Sequence, residues 1–346
     1  MTDAQASVSA EKHERTFRDM ASGQEPRWCP GCGDYSILRQ IQTVTAGLDI
    51  PRHDMVFVSG IGCSSRFPYY MNTYGFHTIH GRALTIATGL KVANPNLTIW
   101  VIMGDGDGLS IGGNHLLHAM RRNLNINVVL FNNRIYGLTK GQYSPASEMH
   151  KITKTSPYGT IEHPINPLRI ALAAEATFVG RSSDADVKHL AYVLKRAAEH
   201  QGISFVEVYQ NCNIFNDKAY ANFTERKVRA DRTVKLESGK PLIFGADHNR
   251  GLRLRGTNID VIDLENKNDH KGLLVHDERD ESRSHAFLLS ELDYPDYPVP
   301  MGVFRAVSNP TYEGALEEQV EAACKRKGAG NLNKLFKSAE TWTIEG

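Results

Sequence analysis

The chain has 346 residues, enough for one large domain with an appendage or for two domains. With 41% hydrophobic and 23% charged residues and a formal net charge of +1, it has an ordinary globular composition and no charge excess that would argue for nucleic acid or a membrane surface. Its apolar runs are too short to span a bilayer.

Residues 1–24 are polar and read as an arm. The stretch MTDAQASVSAEKHERTFRDM lacks an apolar core, so no secretory signal is expected and the cytoplasm is the expected location. Cys29-Pro30-Gly31-Cys32 forms a tight loop ahead of a helical pattern over 35–46, with Ile37, Leu38, Ile41 and Val44 on one face. A buried-type strand at 55–58 runs into Gly60-Ile61-Gly62-Cys63-Ser64-Ser65-Arg66. His80-Gly81-Arg82 opens a small-residue helix over 83–93, stopped by Asn94-Pro95. The apolar run 98–103 feeds into Gly104-Asp105-Gly106-Asp107, a helix follows, and a second apolar run, 127–131, ends on Asn132-Asn133.

After Gln142, Pro145, Pro157, Pro164 and Pro167 mark a long irregular loop of the kind that is usually functional or disordered. A helix over 167–176, a short strand at 177–179 and an amphipathic helix over 184–200 with Asp184 near its cap are predicted next. Residues 204–209 form a strand, and Cys212 comes three residues after it. Beyond 225 the texture changes. Short alternating pieces at 241–244, 252–255 and 260–264 suggest hairpins. Residues 286–292 suggest a helix, and 313–327 an amphipathic helix with Cys324 as a packed thiol. The organisation predicted is an arm at 1–24, an α/β domain at 25–225 and a C-terminal extension at 226–346.

The stretch 98–133 is strand, acidic glycine turn, helix, strand and paired amides. Twenty-five residues lie between Gly106 and Asn132, a spacing that lets one βαβ unit bring a carboxylate and an amide together at the strand ends. Such oxygen ligands suit a hard cation, Mg²⁺, itself bound to phosphate oxygens. The glycines let backbone N–H groups approach a diphosphate at the helix start. Cys63 and Cys212 follow strand ends and Cys29 and Cys32 precede a helix, so all four lie on that same sheet edge. Four thiolates there suit either an iron–sulfur cluster or a structural zinc.

GDG followed by NN at this spacing resembles the diphosphate motif of thiamine-diphosphate enzymes. With NNRIYGLTKGQ included, the string is similar to a narrower group, the beta subunits of 2-oxoacid:ferredoxin oxidoreductases. The resemblance covers roughly residues 25–220, and residues 298–305 look like the tail of longer family members. It implies an α/β thiamine-diphosphate-binding fold, a mostly parallel central sheet flanked by helices with an irregular C-terminal extension. It implies Mg²⁺ on the Asp105 and Asn133 side chains and the Ile135 carbonyl. Gly104, Gly106 and Asp107 would lie along the diphosphate, with Tyr136, Gly137, Leu138 and Thr139 continuing around it. Gly62, Cys63, Ser64 and His80 would fall at the thiazolium pocket, although Ser64 also admits a plain cap role and His80 that of a satisfied buried histidine. The same resemblance assigns Cys29, Cys32, Cys63 and Cys212 to a [4Fe–4S] cluster.

The activity implied is oxidative decarboxylation of a 2-oxoacid to its acyl-coenzyme A. Electrons leave on ferredoxin, and the reaction is reversible as CO₂ fixation. Arg66 and Lys140 are candidates to pair with a distal carboxylate, which favours 2-oxoglutarate over pyruvate; solvated side chains or contacts to coenzyme A phosphates are the alternatives. The glutamate that activates the cofactor belongs, in this family, to a pyrimidine-binding domain that is not visible here. A partner alpha subunit is therefore expected, in an α2β2 arrangement. Two rival readings are a non-redox thiamine enzyme of the acetolactate synthase kind and a zinc-stapled scaffold.

Overall fold

The computed structural model describes residues 15–346, so most of the N-terminal arm, residues 1–14, lies outside the described residues. The strands are β1 (Met55–Ser59), β2 (Tyr74–His77), β3 (Thr98–Gly104), β4 (Asn127–Asn132), β5 (Phe178–Ser183), β6 (Ser204–Tyr209), β7 (Thr233–Leu236), β8 (Ile243–Phe244), β9 (Arg250–Arg255), β10 (Asn258–Asp263) and β11 (Val299–Ala306). The larger helices of the first two thirds are α1 (Asp34–Ala46), α2 (Ala83–Ala93), α4 (Gly113–Arg121), α5 (Pro167–Ala173) and α6 (Val187–Glu199), with the five-residue α3 (Asp105–Leu109) between β3 and α4.

Eight strands form one sheet in the order β2-β1-β3-β4-β6-β5-β11-β7. The first six run parallel, β11 is antiparallel to β5, and β7 is parallel to β11. β4 and β6 are buried at every residue, as expected of parallel strands covered on both faces. One core contains residues of α2, α4, α5 and the helix Ser284–Ser290; the other contains residues of α1 and α6. The sheet is thus a layer between helices. The extension is not separate from it, because β7 and β11 complete the sheet edge. β8, β9 and β10 form the expected antiparallel hairpins as a second, three-stranded sheet.

Three expectations are corrected. β5 runs on to Ser183, because Arg181, Ser182 and Ser183 are buried polar residues that disguise a strand. The α6 cap is Asp186, whose side chain accepts from the His189 N–H, whereas the Asp184 carboxylate accepts from the Asn211 N–H at 2.8 Å. Helix Tyr312–Lys327 is anchored through buried Glu313, which accepts from the Asn125 N–H. Most of its remaining length is exposed, and so is Cys324, which is not a packed thiol. Among the described residues no helix is long and apolar enough to cross a membrane.

Candidate functional site

β1, β3, β4 and β6 are consecutive neighbours, and all four run in one direction. Their carboxyl ends therefore deliver Gly60–Cys63, Asp105, Asn133 and Cys212 to one edge. A cleft there, about 420 Å³ including its open mouth, is lined by Gly62, Cys63, Ser64, His80, Gly104, Asp105, Gly106, Asp107, Asn133, Ile135, Tyr136, Gly137, Leu138 and Thr139, together with Ile61. The residues expected around the diphosphate and thiazolium are thus brought together in one place.

Its floor is held by hydrogen bonds. The Tyr136 hydroxyl donates to the Gly106 carbonyl at 2.8 Å, and the ring lies so close that a Cβ on residue 106 would sit 2.2 Å from it. Asp107 turns its carboxylate back into the protein. Oδ1 accepts from the Gly81 N–H at 2.8 Å and the Ile61 N–H at 3.3 Å, and faces His80 Nδ1 at 3.2 Å. Asp107 thus ties three segments together. An ionised carboxylate only accepts, so this contact favours the form of His80 with a proton on Nδ1.

Asp105 is 1% exposed, and burial pushes its carboxyl up to about 7, against the pull of the Ser144 hydroxyl and nearby backbone N–H groups. Ser144 Oγ donates to Asp105 Oδ2 at 2.5 Å, Ser147 Oγ accepts from the Ser144 N–H at 2.8 Å, and Ser147 Oγ donates to the Arg134 carbonyl at 2.6 Å. This strap joins the end of β3 to the loop after β4. Asn133 Oδ1 accepts from the Ile135 N–H at 3.1 Å, and its amide donates to Gln210 Oε1 at 2.7 Å. That fixes the amide oxygen while leaving it a second lone pair. The Thr139 hydroxyl donates to Gln142 Oε1 at 2.5 Å, so its proton is already engaged.

The four cysteines Cys29, Cys32, Cys63 and Cys212 line one further cavity, with Trp28, Asp34, Arg66, Lys140 and Phe215 among its walls. Cys63, Asn133, Gly137 and Leu138 belong to both cavities. A Cβ on Gly137 would lie 3.5 Å from Cys63 Sγ and 3.6 Å from Cys212 Sγ, so two sulfurs flank the residue that divides cleft from cavity. Gln210 Nε2 donates to Cys32 Sγ at 3.3 Å, Trp28 Nε1 donates to the Cys63 carbonyl at 2.7 Å, and Asn213 Nδ2 donates to the Pro30 carbonyl at 2.6 Å. Burial, with the neighbouring Asp34 and Cys212 charges, pushes the Cys63 thiol up to about 12, and burial raises Cys32 as well. Thiols in such a place ionise when a metal takes them.

The donor set fits the groups implied. Among the described residues, Ser64 Oγ and Asp107 Oδ2 are buried beside the cleft without hydrogen-bond partners, and the Asp34 carboxyl is buried beside the cysteines next to the Cys32 thiol. Unsatisfied buried atoms of this kind mark places where a ligand completes the site. Ser64 is not a helix cap; the short helix it opens has no side-chain cap bond. Arg66 and Lys140 line the cysteine cavity and not the diphosphate cleft, and Arg66 Nε donates to the Tyr70 hydroxyl at 3.1 Å. Sequence reasoning missed Ser144, Ser147, Gln210 and Asp34. Asp34 directly follows the Cys-Pro-Gly-Cys-Gly run, but nothing in the sequence marks the serines or Gln210 as members of the site.

Fold and cleft define the class: residues 60–208 match the family model of the thiamine pyrophosphate enzyme C-terminal TPP binding domain. The chain is 47% identical over 344 residues to "2-oxoglutarate oxidoreductase subunit KorB" of Mycobacterium tuberculosis, covering 98% of this chain and 91% of that one. It is 44% identical over 186 residues to "2-oxoglutarate synthase subunit KorB" of Archaeoglobus fulgidus, covering 54% and 69%. Among solved structures it is similar to a 2-oxoglutarate:ferredoxin oxidoreductase from Magnetococcus marinus with 2-oxoglutarate, coenzyme A and succinyl-CoA bound. There the TM-score is 0.76 at 33% identity, over 95% of this chain and 97% of that one. The chain belongs to the family of 2-oxoglutarate:ferredoxin oxidoreductase beta subunits.

Proposed function

We propose that this chain is the half of the enzyme that carries both the diphosphate end of thiamine diphosphate and a [4Fe–4S] cluster. The reaction is oxidative decarboxylation of 2-oxoglutarate to succinyl-coenzyme A and CO₂, run in reverse as CO₂ fixation. Electrons leave one at a time to ferredoxin. The observation that carries this reading is the cavity of four cysteines sharing Cys63 and Gly137 with the cleft. The side chains of Asp105 and Asn133 and the Ile135 carbonyl would hold Mg²⁺; Cys29, Cys32, Cys63 and Cys212 would hold the cluster.

Thiamine diphosphate, when bound, supplies the carbanion that attacks the 2-oxoacid carbonyl. The chain's own residues bind and orient it. Gly104 and Gly106 present backbone at the diphosphate, and Tyr136 locks that turn to the loop after β4. Asp107 holds the Gly81 and Ile61 N–H groups and His80 on Oδ1, while its Oδ2 stays beside the cleft. His80 is oriented by that contact. Trp28, Leu138 and Phe215 line the cysteine cavity with apolar surface that limits water, a condition that affects cluster potential. Arg66 and Lys140, across the shared wall, are the cations proposed for the distal carboxylate of 2-oxoglutarate.

A non-redox decarboxylase leaves the cysteine cavity without a purpose. A zinc scaffold leaves the cleft around Asp105 and Asn133 without a purpose. A four-iron cluster spreads its thiolates over separate irons and suits a ring around a cavity. The activating glutamate comes from a partner alpha subunit in an α2β2 assembly, and free thiols fit a cytoplasmic setting.

The test is turnover of the chain with and without its partner against a panel of 2-oxoacids. Activity is expected only in the complex, with 2-oxoglutarate preferred. Arg66→Ala and Lys140→Ala should raise KM for 2-oxoglutarate far more than for 2-oxobutyrate. Equal effects on both substrates would sink the carboxylate assignment, and turnover by the chain alone would sink the two-subunit reading.

A further inference from the structure

A third cavity, about 580 Å³ including its open mouth, shares no lining residue with the cleft or the cysteine cavity. Three guanidiniums line it: Arg134 from the loop after β4, Arg169 from α5 and Arg181 from β5. Arg181 is 3% exposed, and its Nε donates to Glu207 Oε2 at 2.7 Å; among the described residues nothing accepts from its two Nη groups. Arg134 stacks over the Tyr220 ring, 4.6 Å from its centroid, and its guanidinium likewise meets no acceptor among the described residues. Arg169 Nη2 pairs with Glu291 at 2.8 Å, but its Nε is buried without a partner among the described residues.

Two acids line this cavity: Glu207 has both oxygens in use, whereas Asp293 has one in use and its charge acts on Arg134 and Arg181. Glu207 takes Asn132 Nδ2 on Oε1 and Arg181 on Oε2, and Asp293 Oδ1 accepts from the Tyr294 N–H. What remains in excess is N–H donors on planar forks. Buried donors without acceptors call for an acceptor-rich occupant, and the guanidinium fork matches a carboxylate or phosphate.

We propose that the cavity formed by Arg134, Arg169 and Arg181 is a second ligand site that binds a small oxyanion, a carboxylate or a phosphate. The site is coupled to the cation loop through Arg134. Arg134 lies between Asn133 and Ile135 with φ at +56°, a backbone region that a side chain of this size occupies only when its surroundings hold it there. Its carbonyl accepts from Ser147, which bonds Ser144, which bonds Asp105. An anion fixing the Arg134 guanidinium therefore fixes the backbone between two cation-binding positions. Anion and Mg²⁺ should each tighten the other. The binding stands without the Mg²⁺ assignment; only the coupling rests on it.

The test is calorimetry on the complex with its partner subunit, loaded with thiamine diphosphate, titrated separately with inorganic phosphate and with succinate. Saturable binding of at least one probe is expected, weakened at least ten-fold by Arg169→Met and by Arg134→Met in protein that melts like the wild type. Arg169 lines no part of the diphosphate cleft, so succinate lodged at the substrate position would be unaffected by that change. Lys140→Ala, in the cysteine cavity, should leave phosphate binding intact. The bound anion should lower the Mg²⁺ concentration for half-saturation, and this shift should vanish in Arg134→Met. Which probe binds decides between carboxylate and phosphate. Absence of saturable binding by either, or wild-type affinity in well-folded Arg169→Met, overturns the site. Binding without a Mg²⁺ shift overturns the coupling.

Discussion

Replacing Gly106 with alanine tests how the cleft is built. A Cβ there would meet Tyr136 Cε1 at 2.2 Å, Cζ at 2.5 Å and Cδ1 at 2.7 Å, each far inside ordinary contact. The ring cannot stay, and moving it breaks the 2.8 Å bond from its hydroxyl to the Gly106 carbonyl. The lost hydrogen bond costs about 1 kcal/mol, and the forced repacking about 1–3 kcal/mol. Tyr136 is only half-buried and can swing outward, so the cost should fall on the loop after β4 rather than on the whole fold. If all of it acts on the cofactor-binding geometry, a total of about 2–4 kcal/mol weakens thiamine diphosphate binding about thirty-fold to several hundred-fold. The assay is cofactor titration by intrinsic fluorescence or calorimetry at saturating Mg²⁺, with a melting curve alongside. Tyr136→Phe, which keeps the ring and loses the bond, should show only the smaller share, about five-fold. Wild-type affinity in Gly106→Ala would refute the claim that the glycine is required by this close approach.

Other outcomes follow from the same geometry. Ser144→Ala removes the hydroxyl that orients Asp105, and should weaken Mg²⁺ binding about ten-fold to a hundred-fold in a Mg²⁺ titration. Asp105 holds its proton more tightly folded than unfolded, so without a cation the chain loses stability as pH rises from about 4 to its folded value of about 7. Mg²⁺ must displace that proton, so its affinity should fall about ten-fold per pH unit below 7 and level off above it; a flat profile counts against the assignment. Cys63→Ser and Cys212→Ser should lose most of the bound iron measured after anaerobic purification, while Cys324→Ser, on an exposed helix, should keep all of it.

Much of the site was legible because it lies where strands end. Apolar runs such as 98–103 and 127–131 announce buried parallel strands, and glycine, aspartate and asparagine just beyond them announce the edge that binds ligands. Four cysteines at strand ends and a helix start could be placed together for the same reason. The rest depends on contacts that no spacing encodes. Ser144 and Ser147 reach Asp105 and Arg134 from an irregular loop that has no periodicity to read. Arg181 sits past the predicted end of its strand because a polar residue there looks like a stop, and only the register between β5 and β6 shows that it pairs with Glu207. Arg66 and Lys140 follow Cys63 and Thr139 in sequence, yet the chain directs both toward the cysteines. The exposure of Cys324 reflects a helix that touches the body chiefly through Glu313.

The most direct test of the account is to purify the complex of this chain with its alpha partner without oxygen and record its iron, sulfide and zinc content. Its electron paramagnetic resonance spectrum is then taken before and after adding 2-oxoglutarate and coenzyme A. About four irons and four sulfides per chain are expected. A signal from the reduced cluster is expected after the substrates are added and not before. Zinc in place of iron, or turnover of 2-oxoglutarate by protein whose cysteines hold no iron, would contradict the account.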